Sequence, residues 1–170
     1  MNSMLSDQEK LGLFEALEDE YRAWAIYDQV IRDFGPVRPF ANIREAEARH
    51  ILAVAGLLRR HGLQVPTNTW IGKVGHYPSI AAACLDGVTA EVANVALYDR
   101  LMASTQRQDI LAVYRALQEA SQQRHLPAFQ RCAGVQQPLG SDSGKGGCHR
   151  HGSSGSGRKG ESCHQDGPLG

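Results

Sequence analysis

The run Glu20-Tyr21-Arg22-Ala23-Trp24-Ala25-Ile26-Tyr27-Asp28 recurs as Glu91-Val92-Ala93-Asn94-Val95-Ala96-Leu97-Tyr98-Asp99, with Glu, Ala, Tyr and Asp at one constant offset. A second pair lies downstream of each copy. Glu47-Ala48-Arg49-His50-Ile51-Leu52-Ala53-Val54 matches Gln122-Gln123-Arg124-His125-Leu126-Pro127-Ala128-Phe129, at an offset four residues larger. The chain therefore reads as two copies of a helical hairpin. Each copy carries a glutamate on its first helix and an (E/Q)-x-R-H motif on its second.

Local signals bound the helices. Ser6 with Glu9 forms a capping-box start, and apolar residues recur at helical spacing from Leu11 to Phe34 until Gly35 and Pro36 end the run. Asn42 with Glu45 repeats the capping signature, and His61 with Gly62 closes a second helix. Residues 63–78, with Pro66, Gly72, Gly75 and Pro78, make a connection long enough to cross between two hairpins. Ser79 caps a third helix that runs to about Ala103, with Gly87 as a candidate kink. Asp109 opens a fourth that reaches about Cys132, with Pro127 interrupting its last turns. No stretch alternates at period two, so the expected fold is all-α, a four-helix bundle over residues 1–133.

Eleven of the 18 glycines fall in residues 134–170, mixed with serine, lysine and histidine. Such a segment buries too little apolar surface to offset its ordering entropy, so a flexible tail is expected there. Within it, Cys148, His149, His151, Cys163 and His164 could bind a soft or borderline ion, but their spacing defines no geometry.

The balance of 18 basic and 18 acidic residues argues against nucleic acid or a membrane surface as partner. No stretch approaches the roughly 20 apolar residues of a membrane span, and a cytoplasmic location is expected. Four cysteines without a C-x-x-C pair indicate neither a dense disulfide framework nor a zinc ribbon, and Cys84 reads as a small buried hydrophobe.

A glutamate and a histidine three residues apart on a helix share a face, so Glu47 and His50 can reach one ion. Two hairpins packed about a pseudo-twofold would bring Glu20, Glu47, His50, Glu91 and His125 together at the bundle centre. Three carboxylates among Leu, Val and Ala would be prohibitive if ionised and unpaired, and divalent cations would compensate them. Gln122 stands where a fourth carboxylate is expected. Glu119, one turn earlier, is the candidate replacement. Tyr27 and Tyr98 are candidate hydrogen-bond donors to the ligands, or simply core. Asp28 and Asp99 are candidate acceptors for the second ring proton of a ligand histidine. Arg49 and Arg124 should point away from the site.

Glu20 to Tyr27, Pro39 to His50, Glu91, and Ser121 to Phe129 resemble a largely uncharacterised prokaryotic branch of the ferritin-like superfamily, over roughly residues 6–132. The resemblance implies a bundle holding two irons, with manganese or zinc as alternatives, that acts on dioxygen, peroxide or ferrous iron. It names no reaction, since ferritins, rubrerythrins and dimetal oxygenases share the architecture. No rubredoxin-type cysteine pairs are present, so an enzyme of this kind would need an external reductant. A homodimer is a possible assembly. The alternative is a non-catalytic metal-binding or structural bundle with a degenerate site.

Overall fold

The computed structural model describes residues 4–134. The expected tail, with its cysteine and histidine cluster, lies outside the described residues apart from Gly134. Among them are four helical rods and no strand: α1 (Asp7–Phe34), α2 (Phe40–Arg60), α3 (Ile80–Ala103), and a fourth made of α4 (Gln108–Ala120), a π-helical turn (Ser121–His125) and α5 (Leu126–Cys132).

The capping box at Ser6 and Glu9 forms as expected, and Ser79 caps α3 through the Ala82 amide. The start of α2 is a correction. It begins at Phe40 rather than after Asn42, because the Pro39 carbonyl already accepts from the amides of Asn42 and Ile43, and no side chain caps it. Gly35 and Gly62 follow α1 and α2 at φ of 84° and 73°, in the region that favours glycine.

The apolar core is in two parts. One joins Leu13 and Leu17 of α1, Val54 and Leu58 of α2, Tyr98 and Leu101 of α3, and Ile110 and Leu117 of α4. The other joins Tyr27 and Val30, Phe40 and Ile43, Ala83 and Cys84, and Phe129. Buried polar residues separate the two on α2 (Glu47, His50), α3 (Glu91, Asn94) and the fourth rod (Ser121, His125), and Glu20 joins them from α1. The residues of 61–79 lie along α1: Tyr21 donates to the Pro66 carbonyl, Trp70 Nε1 to Glu18, and His76 pairs with Asp33.

Gly87 has a packing role, and two further expectations are corrected. A Cβ at Gly87 would meet the Phe129 ring at 2.8 Å, so its bare backbone lets α5 close on α3. Cys84 is not a free thiol but is disulfide-bonded to Cys132, with Cα atoms 5.8 Å apart, which ties α3 to α5. And α3 is long and apolar enough to cross a membrane by length and composition, with a mean hydropathy of 1.5, although its Glu91, Asn94 and Tyr98 are buried within the bundle.

Candidate metal centre

The polar layer between the two apolar clusters contains Glu20, Glu47, His50, Glu91 and His125, none more than 9% exposed. The ligand atoms of Glu20, Glu47 and His50 lie within 4.8 Å of one another, as do those of Glu47, Glu91 and His125. Glu47 belongs to both triplets. His50 Nδ1 is 2.8 Å from Glu47 Oε2 and 3.2 Å from Glu20 Oε2. His125 Nδ1 is 3.2 Å from Glu47 Oε1 and 3.5 Å from Glu91 Oε1. It has hydrogen-bond geometry to neither, so this buried nitrogen faces two carboxylates at ion-pair distance without a hydrogen bond. The two imidazoles stack, with centroids 5.5 Å apart.

The tyrosines reach across the bundle. Tyr27 of α1 donates to Glu91 Oε1 of α3 at 2.9 Å, and Tyr98 of α3 donates to Glu20 Oε1 of α1 at 2.5 Å. Burial and the adjacent carboxylates push both phenols well above their ordinary range, so they remain donors.

The carboxylates and imidazoles shift one another's proton affinities. Burial, with the negative charge of Glu47, raises Glu20 to about 8. Burial alone would raise Glu47 too, but the adjacent His125 and His50 imidazoles outweigh it and hold Glu47 below the usual carboxylate range. Burial works to lower both histidines, and their carboxylate neighbours reverse this, taking His50 to about 10 and His125 to about 9. The shifts of the two histidines thus follow from the carboxylates they face.

Gln122 and Glu119 are exposed and do not reach the cluster, a correction with a backbone cause. Pro127 has no N–H, and the Leu126 amide bonds five residues back to the Ser121 carbonyl. The widened turn carries the residue three before His125 off its face and brings Ser121, four before it, into the interior at 3% exposure. Ser121 Oγ donates to Asn94 Oδ1 at 2.7 Å, and Asn94 Nδ2 donates to Asp19 Oδ2 at 2.7 Å. Sequence reasoning missed this chain. The signal that could have found Asn94 is its position three residues after Glu91, a polar side chain on the same helical face.

Asp28 and Asp99 do not serve the histidines. Asp28 pairs with Arg44 at 2.9 Å and Arg32 at 2.8 Å, and exposed Asp99 accepts from Gln118. Arg49 and Arg124 are exposed.

No protein-family model and no curated protein matches the chain. A crystal structure of a hypothetical protein from Methanococcus jannaschii DSM 2661 is similar, with a TM-score of 0.70 and 27% identity over 79% of this chain and 84% of that one. The similarity extends the helical-bundle architecture to a second protein and carries no activity.

Proposed function

We propose that this bundle is a ferritin-like metal protein in which Glu20, Glu47 and His50 hold one divalent ion and Glu47, Glu91 and His125 a second, and that it is an oxidoreductase acting on dioxygen, peroxide or ferrous iron. The observation that carries the reading is the membership of Glu47 in two overlapping carboxylate–histidine triplets inside an otherwise apolar core. His125 Nδ1 fits it, since this buried nitrogen faces Glu47 and Glu91 without making a hydrogen bond to either, an arrangement that a bound ion would satisfy. The path of residues 61–79 along α1 supports a ferritin-like connection between the two hairpins.

Mixed carboxylate and imidazole donors suit iron or manganese, and bound redox-active ions would supply electrons to an oxidant. The chain's own groups orient the donors: Tyr27 and Tyr98 fix one oxygen each of Glu91 and Glu20. Electrons for turnover would come from an external reductant. The Cys84–Cys132 bond favours an oxidising compartment over the cytoplasm expected from the sequence.

Metal content per chain by elemental mass spectrometry, followed by oxygen consumption on adding ferrous iron, tests the proposal. Two irons or manganeses with oxygen uptake supports it, and two ions without uptake favours a store. The absence of a fourth carboxylate, with Ser121 in its place, favours the second reading, a structural bundle with a degenerate site. No ion after anaerobic loading would establish that reading instead.

A further inference from the structure

The two triplets are not equally accessible. A pocket of about 180 Å³ opens between α1 and α3, and its lining includes Glu47, Glu91 and Tyr27 but neither Glu20 nor His50. Glu47, Glu91 and Tyr27 are at most 3% exposed and form its floor, while exposed Ala90 and Ala93 leave the space at its mouth. Volume decides what can enter. A cavity of about 150 Å³ accommodates a benzene-sized guest, so an ion with part of its water shell fits.

Charge then selects among small guests. Asp19 on α1 and Asp86 on α3 line the pocket, as do the floor carboxylates Glu47 and Glu91, against one cation, Arg22, whose guanidinium lies over the Trp70 ring at 5.7 Å. Asp19 accepts a hydrogen bond from the buried Asn94 at the pocket wall. Carboxylates from mouth to floor attract cations and repel anions. Behind the floor lies His125 Nδ1, without a hydrogen bond and 3.2 Å from Glu47 and 3.5 Å from Glu91, a nitrogen donor where a cation would come to rest.

We propose that divalent cations enter through this α1/α3 pocket and load the Glu47, Glu91 and His125 triplet first, with Asp19 as the carboxylate that draws them in. The inference rests on the proposed metal site and adds an order and a route to it. Small residues at 90 and 93 are then needed for access rather than for packing, and Asp19 acts on the rate of loading.

Stopped-flow uptake of Co²⁺ by the full chain, read by its visible absorption, provides the test, with Ala90→Leu/Ala93→Leu as the plugged variant. Ala96→Leu, exposed on the same helix and outside the pocket, is the control. The plugged variant should load at least about tenfold more slowly than the control, with the same final stoichiometry. Asp19→Asn should slow loading about threefold and flatten its dependence on ionic strength. Wild-type rates in the plugged variant would overturn the route, with entry beside His50, 9% exposed, as the competitor. No Co²⁺ uptake by the unsubstituted chain would overturn the proposed metal site as well.

Discussion

The phenol of Tyr27 donates to Glu91 across the α1/α3 gap at 2.9 Å, inside the core and 64 residues away in sequence. Tyr98 makes the mirror-image bond to Glu20. Each tyrosine therefore orients the carboxylate of the other hairpin, so a cation at either proposed site would meet an oxygen that is already aimed. Tyr27→Phe should weaken binding at the Glu91 triplet, and Tyr98→Phe at the Glu20 triplet, by about 10- to 100-fold, as loss of a group that orients a ligand does elsewhere. Calorimetric titration with Mn²⁺ measures this. Unchanged affinity in both variants would leave the phenols as core packing only.

The π turn gives a prediction that the repeat alone reverses. Aligning Gln122 with Glu47 suggests that Gln122→Glu would complete the site, yet Gln122 is exposed and Ser121 is buried. Gln122→Glu should therefore leave metal stoichiometry and affinity as they are. Ser121→Asp, which puts a carboxylate beside Asn94 on the interior face, should raise the affinity for a divalent ion and lower the stability of the metal-free chain, since it buries another charge. Tighter binding by Gln122→Glu would show that the helix is wound without the π turn.

These contrasts show which parts of the molecule were legible. Glu47 and His50 advertise themselves because their spacing is local and recurs at Gln122 and His125, and periodicity locates the helices that carry them. The change to five-residue bonding at Ser121 leaves apolar periodicity nearly intact, and Pro127 marks a disturbance without saying whether the helix kinks or widens. The partner of Cys84 was equally hidden, since four cysteines allow several pairings and it is the tertiary packing of α5 on α3, Phe129 on Gly87 included, that brings Cys132 near.

Glu9 ties the start of α1 to the link between α3 and α4. Its carboxylate accepts from the Ser6 amide at 2.8 Å, Thr105 Oγ1 at 2.6 Å and Arg107 Nε at 3.4 Å. Burial works to raise its pKa, and these partners together outweigh that and bring it below its ordinary 4.5. A carboxyl lowered on folding stabilises the fold above its unfolded pKa, and that contribution is lost as pH falls through the folded value. Glu9→Gln should cost about 1 kcal/mol at neutral pH, and the difference from the parent should shrink below pH 4.5. Urea unfolding at pH 7 and pH 3 measures both, and a pH-independent difference would mean that shape rather than charge matters at this position.

The Cys84–Cys132 bond closes a loop of 48 residues that contains most of α3, all of α4 and the π turn. A crosslink over that span lowers the entropy of the unfolded chain by the equivalent of about 4 kcal/mol in the chain-entropy model. Its place sharpens the expectation. The seven residues of α5 hold on to α3 through this bond and through Phe129 over Gly87, and they directly follow His125. Cys132→Ser, or reduction of the parent, should lower the melting temperature by roughly 10 °C. Amide exchange should then accelerate in α5 and the π turn more than in α1 and α2, because the long helices keep their own apolar contacts. Peptide mapping of unreduced protein supplies the prior check: recovery of Cys84 as an alkylated free thiol would remove the crosslink and both of its consequences.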